Sequence, residues 1–121
     1  MQRFKFLTDR VHGLLDYGIV LIFLLAPGLL GIGGTAAVQC YVTAGVQLLM
    51  TLFTDMPLGV VKLMPLKIHG TIELIVGLAL IAMAWVVPEL ASGQLFFTLM
   101  GAVIFVVWVS SNYGDPAIQD A

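Results

Sequence analysis

The sequence contains one short motif twice, and this duplication limits the folds that the chain can adopt. The first copy is RVHGLLD at residues 10–16 and the second is KIHGTIE at residues 67–73. In both copies a basic residue precedes His-Gly, and a carboxylate follows the histidine by four residues. The same interval of 57 residues separates His12 from His69, Asp16 from Glu73 and Thr54 from Ser111. We therefore predict two tandem copies of one structural unit.

The rest of the chain is too apolar for a water-soluble fold. Hydrophobic residues make up 60% of its 121 residues and charged residues only 10%, whereas soluble domains are about one quarter charged. A helix needs about 20 apolar residues to span roughly 30 Å of hydrocarbon. We predict a single integral membrane domain, all-α, in which four transmembrane helices form a bundle over residues 1–121. The predicted spans are Val11 to about Gly31, Thr35 to Thr54, Ile68 to about Val87, and Gln94 to Ser111.

The duplication and the charges together predict how these helices are arranged. Repeat one covers about 8–55 and repeat two about 65–112, and each contains two spans, so the repeats share one orientation and are related by a pseudo-twofold axis along the membrane normal. The turns at 31–35 and 88–93 contain no Lys or Arg, and all five basic residues lie on the side of the N-terminus. The positive-inside rule then predicts that both termini lie in the cytoplasm.

Several residues predict where helices begin and end. Asp9 is a candidate N-cap for the first helix, and Pro27 with Gly28 should bend or end that helix. Residues 55–67 form the longest connection, which we expect to lie along the membrane surface. Pro65 suits the first turn of the third helix.

The second span has one polar side. Its polar residues recur at intervals of four, four, four and three, which places them near one helical face. Gln47 is expected at a depth similar to that of Asp16 and in position to hydrogen-bond to it. The residue 57 positions further on is Ile104, so the two repeats differ there. The members of this polar row are Gln39, Thr43, Gln47, Thr51 and Thr54.

The doubled motif supplies the candidate site. Ionisable groups in hydrocarbon are costly unless they meet a partner or water, so His12, Asp16, His69 and Glu73 should face the bundle interior. Residues four apart share a helical face. In two repeats of one orientation, both pairs would lie within about 10 Å of the cytoplasmic boundary by helical rise.

Three roles fit such a cluster. It can hold the helices together through interhelical hydrogen bonds, which contribute about 0.6 to 2 kcal/mol each. It can serve proton, ion or small-ligand transport or sensing, because histidine titrates near neutral pH; a water path would then need the polar row of the second span. It can also bind a divalent metal through His12, Asp16, His69 and Glu73, or haem through His12 and His69. Sequence alone assigns no cofactor.

Other classes of function have no support in the sequence. The net charge is −2 and no basic face is present, which excludes nucleic-acid binding. The sequence shows no nucleophile arrangement and no phosphate-binding glycine loop, so we predict no enzyme chemistry. The lone cysteine, Cys40, is expected to behave as a small buried hydrophobe.

The doubled His-Gly-x-x-carboxylate motif, the proline or tryptophan near the ends of the odd-numbered helices, and TDMPLG at residues 54–59 resemble the small bacterial membrane proteins with an SPW-type repeat. The resemblance covers nearly the whole chain. That family is named for a Ser-Pro-Trp triplet, and here the corresponding triplets are APG at 26–28 and MAW at 83–85. The resemblance implies a four-helix protein of the bacterial inner membrane without an established activity or catalytic residues.

We therefore predict a structural or interaction subunit of the membrane. Its His-carboxylate pairs would hold the bundle together, and its apolar faces would contact lipid, other copies of the chain or a larger membrane protein. Transport or sensing through His12, Asp16, His69, Glu73 and Gln47 is the alternative, and an intramembrane metal or haem site is the second alternative.

Overall fold

The computed structural model describes residues 8–111, and this part of the chain is built from helices. Four of them are α-helices: α1 is Asp9–Leu30, α2 is Gly34–Leu52, α3 is Leu66–Val86 and α4 is Gln94–Ser110. A 3-10 segment, Pro88–Gly93, leads into α4. Within residues 8–111, four segments are long and apolar enough to cross a membrane: α1, α2, α3 and the 3-10 segment together with α4. The prediction of an all-helical chain with four apolar helices is confirmed.

The N-terminal end of α1 differs from the prediction. Thr8, not Asp9, is the N-cap, and its hydroxyl accepts a hydrogen bond from the backbone N–H of Val11 at 3.2 Å. Asp9 is instead the first helical residue, where its negative charge interacts favourably with the positive end of the helix dipole. Pro27 lies inside α1 and does not end it. The helix continues to Leu30 and ends because Gly31 adopts a left-handed conformation with φ of 69°.

The helices pack as two hairpins, α1 with α2 and α3 with α4. Within the second hairpin, α3 and α4 approach closely at two glycines: a Cβ on Gly101 would lie 2.6 Å from the carbonyl oxygen of Gly77. The core that joins the hairpins contains fully buried aromatic rings, and Phe23 of α1 meets Phe96 of α4 edge to face at 5.2 Å. This core occupies the end of the bundle away from the doubled motif.

The connection between α2 and α3 is folded back on the bundle. Its two ends are joined by backbone hydrogen bonds, from Asp55 N–H to the carbonyl of Met64 at 2.8 Å and from Met64 N–H to that of Phe53 at 2.9 Å. Its middle lies against α1, where a Cβ on Gly13 would be 3.1 Å from Leu58 Cβ. The connection therefore covers the first turns of α1, beside His12.

Candidate functional site

The two copies of the motif meet inside the bundle. His12 and Asp16 lie on the first turns of α1, and His69 and Glu73 lie on the first turns of α3. All four side chains are at most 1% exposed. The i, i+4 spacing places each histidine and its carboxylate on one face of their helix, and the two faces are turned toward each other.

The four side chains form a closed ring of contacts. His69 Nε2 lies 2.7 Å from Glu73 Oε2 and 2.9 Å from Asp16 Oδ2. His12 Nε2 lies 3.1 Å from the same Asp16 oxygen and 3.3 Å from the same Glu73 oxygen. Each imidazole therefore contacts one carboxylate from its own helix and one from the other helix, so the cluster links α1 to α3.

The other nitrogen of each imidazole is held by a hydroxyl group. His12 Nδ1 lies 2.6 Å from Ser111 Oγ, and His69 Nδ1 lies 2.8 Å from Thr54 Oγ1. Each hydroxyl hydrogen is already donated to a backbone carbonyl, that of Val107 for Ser111 and that of Met50 for Thr54. A hydroxyl has only one hydrogen to donate, so both must accept from an Nδ1–H group.

These hydroxyl contacts determine what the centre can do chemically. With Nδ1 protonated, a neutral imidazole presents the lone pair of Nε2 to the centre, which is the form that binds metals. A protonated imidazole presents Nε2–H instead and donates to the carboxylates. The same geometry thus suits either a metal ion or a hydrogen-bonded ion network.

Two carboxylate oxygens remain without a partner. Asp16 Oδ1 and Glu73 Oε1 are buried and make no hydrogen bond with any described residue. Buried polar atoms are normally paired, and each exception suggests a missing partner such as water or an ion. The centre therefore has unused acceptor capacity in addition to the four atoms in contact.

A metal ion fits the residues present. Each of His12, Asp16, His69 and Glu73 offers one ligand atom, and these atoms lie within 4.8 Å of one another. Ligands at about 2.0 to 2.1 Å from a tetrahedral zinc ion are roughly 3.4 Å apart. The four N–O contacts of 2.7–3.3 Å are shorter than this and the widest separation in the set, 4.8 Å, is longer, so the side chains would have to shift to surround an ion.

Haem does not fit the same centre. Both Nε2 atoms contact the same Asp16 oxygen, at 2.9 and 3.1 Å. A macrocycle held between two axial imidazoles would have to occupy the space that the carboxylates fill. The geometry therefore argues against the haem alternative.

Gln47 lies apart from this ring of contacts. Its side chain is 5% exposed, and its Nε2 has no hydrogen-bond partner within residues 8–111. The predicted hydrogen bond from its amide group to Asp16 is therefore not formed. Instead, Gln47 lines a small groove between α2 and α3.

Sequence reasoning did not assign Thr54 and Ser111 to the site. Both lie beyond the C-terminal ends of their helices, and nothing local indicates which imidazole they contact: Thr54 is 15 residues from His69, whereas Ser111 is 99 residues from His12. The available signal was their separation of 57 residues, the same interval that relates the two histidines.

A scan of protein-family models, a search of curated proteins and a search of solved structures each returned no match. The resemblance to SPW-type repeat proteins therefore stays a prediction, and the chain's own geometry must support its functional assignment.

Proposed function

We propose that this chain is a small integral membrane protein whose centre of His12, Asp16, His69 and Glu73 binds a divalent transition-metal ion. One observation carries the proposal. Both Nδ1–H groups are committed to hydroxyl acceptors, so both Nε2 atoms point to the same two carboxylate oxygens. In metal sites, a hydrogen bond from the second ring nitrogen commonly fixes the tautomer and orientation of a ligating histidine.

The ligand set indicates the class of metal. Two imidazoles and two carboxylates suit zinc, manganese, iron or nickel, whereas the absence of thiolate from the cluster argues against metals that require soft ligands. The unpartnered oxygens Asp16 Oδ1 and Glu73 Oε1 would allow either carboxylate to bind with both oxygens. The ion would supply a fixed positive charge and would link α1 to α3. This link is the structural role expected of the cluster.

The second candidate is the same cluster without a metal. The four N–O distances of 2.7–3.3 Å are hydrogen-bond distances, which favours imidazolium groups that donate directly to the carboxylates. Such a network holds the helices together and also provides exchangeable protons, so it serves the structural role and the proton-transfer alternative. Bound metal distinguishes the two candidates.

A pseudo-twofold arrangement of two tandem repeats supports either candidate. The contacts His12–Ser111, His12–Glu73 and Ser111–Val107 each have a counterpart in which every residue moves by 57 positions, with the second repeat continuing into the first. The counterparts are His69–Thr54, His69–Asp16 and Thr54–Met50. We infer a duplicated hairpin with both termini in the cytoplasm and the centre near the inner boundary of a bacterial membrane. Association with other copies or with a larger membrane protein stays a prediction.

Metal analysis of the purified protein tests the proposal. The detergent-solubilised chain should bind about one equivalent of Zn²⁺ or Co²⁺ per protomer, as expected for a single four-ligand site. His12→Ala, His69→Ala and Asp16→Asn should each abolish this binding. Glu89→Gln is the matched control, because Glu89 is an exposed carboxylate in the 3-10 segment.

Thermal unfolding provides a second measurement of the same binding. A ligand that binds only the folded chain stabilises it by about 2.7 kcal/mol at 100 times its dissociation constant. The unsubstituted protein should therefore melt at a higher temperature with Zn²⁺ than with a chelator, and His69→Ala should show no such difference. A protein that binds neither ion and melts at one temperature in both conditions would refute the metal site and favour the hydrogen-bonded network.

A further inference from the structure

Each carboxylate of the centre uses only one of its two oxygens. Asp16 Oδ2 and Glu73 Oε2 each contact both imidazoles, at 2.7–3.3 Å. The second oxygens, Asp16 Oδ1 and Glu73 Oε1, are buried without a hydrogen-bond partner, and both residues are 0% exposed. Both oxygens of a carboxylate are acceptors, and a buried acceptor that stays unpaired is costly. The centre is therefore incomplete at each of its two carboxylates.

The hydroxyl donors that contact the centre are already in use. Thr54 and Ser111, which hold the imidazoles, both donate their hydroxyl hydrogen to a backbone carbonyl. Within residues 8–111, the ion-pair contacts of the two carboxylates are with the histidines, so no Lys or Arg of this part contacts either carboxylate. These side chains therefore do not supply the partner that the two free oxygens lack, and a bound ligand would supply it.

A six-coordinate metal ion would use both free oxygens. Neither Asp16 Oδ1 nor Glu73 Oε1 makes a hydrogen bond that would be lost, so each carboxylate can turn both of its oxygens toward an ion. Carboxylates bind metals through one oxygen or through both. Two carboxylates bound through both oxygens, together with Nε2 of His12 and of His69, provide six donor atoms. In a four-coordinate zinc site, each carboxylate would bind through one oxygen, and its second oxygen would stay buried and unpaired.

The two copies of the motif would contribute equally to such a site. His12 and Asp16 from α1 offer one nitrogen and two oxygens, and His69 and Glu73 from α3 offer the same set. An octahedron can be divided into two sets of three donors that a twofold axis relates. The pseudo-twofold relation inferred for the repeats is therefore compatible with six donors around a single ion.

We propose that the centre binds a six-coordinate ion, with Asp16 and Glu73 each bound through both oxygens, and that this ion is Mn²⁺ or Fe²⁺ and not Zn²⁺. The inference rests on the proposed metal site and specifies the ion that the site takes. Octahedral sites rich in oxygen suit manganese, and imidazole suits iron, whereas structural zinc sites are almost always tetrahedral. Geometry and the availability of the metal decide which first-row ion is bound, since affinity alone follows one general order.

The visible spectrum of Co²⁺ tests the coordination number. One equivalent of Co²⁺ is added to the full-length protein in detergent, and equilibrium dialysis measures how much is bound. Six-coordinate Co²⁺ absorbs visible light roughly tenfold more weakly than four-coordinate Co²⁺, so the spectrum reports the geometry. We expect the weak spectrum from the bound ion. An intense spectrum with one equivalent bound would refute six-coordination and leave the proposed metal site intact, whereas absence of binding would refute both.

Relaxation of water protons by Mn²⁺ tests whether the protein fills every coordination position. Free Mn²⁺ is surrounded by an octahedron of water molecules, whose protons it relaxes strongly. Six donors from the protein leave no position for water, so this relaxation should be lost when Mn²⁺ binds. A bound ion that kept water ligands would relax protons more strongly than free Mn²⁺, because the protein tumbles slowly. Such an increase would refute binding through both oxygens of both carboxylates.

Gln47 provides the competing partner for the free oxygens, and replacing it tests this alternative. Its buried Nε2 has no hydrogen-bond partner in the described chain, so the amide is a donor that a shifted carboxylate could meet. We expect Gln47→Leu to leave the Co²⁺ spectrum and the Mn²⁺ relaxation unchanged, because the ion binds both oxygens. Gln39→Leu is the matched control, since the Gln39 amide already donates to Thr43 Oγ1 at 3.1 Å. A spectrum that changes in Gln47→Leu but not in Gln39→Leu would refute the proposal.

Discussion

Two hydroxyl side chains determine the orientation of the histidines. Thr54 and Ser111 donate to backbone carbonyls and accept from Nδ1–H, which leaves only Nε2 to face the carboxylates. Without these acceptors, no hydrogen bond to Nδ1–H would favour one tautomer of the buried imidazoles over the other. In the proposed metal site, these hydroxyl groups would fix the tautomer and orientation of both histidine ligands.

Removing one of these acceptors should weaken metal binding without touching a ligand. We expect Thr54→Val to lower the affinity for Zn²⁺ by about 10- to 100-fold, the usual loss for an outer hydrogen-bond partner of a metal ligand. Competition with a chelating dye measures the affinity.

Two control variants accompany this prediction. Thr54→Ser retains the oxygen and should keep an affinity close to that of the original protein. Thr71→Val removes the hydroxyl of an exposed threonine on α3 that donates only to the backbone of Lys67, and it should have no effect. Affinity that is unchanged in Thr54→Val would contradict the orienting role.

Part of the site could be predicted from the sequence. His12, Asp16, His69 and Glu73 were identified because ionisable side chains are conspicuous in apolar helices and recur at one interval. Gln47 was placed correctly inside the bundle but was paired wrongly, since helical periodicity gives the face of a residue and not the partner across a groove. Side-chain direction depends on how the hairpins pack, which no local pattern in the sequence specifies.

Close packing within the second hairpin depends on glycine. A Cβ on Gly101 would lie 2.6 Å from the carbonyl oxygen of Gly77 and would also overlap the side chain of Ile81. Ile81 Cγ1 is the nearest atom, but the backbone oxygen of Gly77 is the obstacle that cannot rotate away as a side chain can. Small residues at such contacts allow transmembrane helices to approach each other.

Two glycine-to-alanine substitutions distinguish the effect of this contact on stability from the intrinsic effect of glycine in a helix. Gly101→Ala should destabilise the protein by about 1 to 3 kcal/mol, the usual cost of overpacking. Gly45→Ala in α2 meets no atom within 4 Å and should instead stabilise it by roughly 0.5 to 1 kcal/mol. Thermal unfolding in detergent compares the two, and equal effects would contradict close packing at Gly101.

The helix boundaries were predicted to within two residues, because long apolar runs interrupted by Gly and Pro constrain them strongly. The N-cap of α1 was not predicted correctly. Thr8 and Asp9 are both good capping residues, so the sequence does not decide between them. Pro27 was expected to bend or end α1, but the helix continues past it to Leu30, and the left-handed conformation of Gly31 ends it where the predicted span ends.

The proposed orientation in the membrane can be tested with fusion proteins. An even number of spans places both termini on one side, and the basic residues favour the cytoplasm. A fluorescent protein that matures only in the cytoplasm should therefore fluoresce when fused after Ala121. Alkaline phosphatase, which is active only outside the cytoplasm, should be active when inserted in the turn at 31–33. The reverse pattern would contradict the proposed orientation.

The reciprocal hydroxyl contacts also limit the order in which the centre can be completed during synthesis. His12 is completed by Ser111 and His69 by Thr54, so neither hairpin contains a finished half of the centre. During synthesis, α1 and α2 emerge first, and His12 Nδ1 has no hydroxyl acceptor until Ser111, at the end of α4, has been made. A chain that ended before Ser111 would thus keep the four contacts between imidazoles and carboxylates but would leave the Nδ1–H group of the buried His12 without its acceptor.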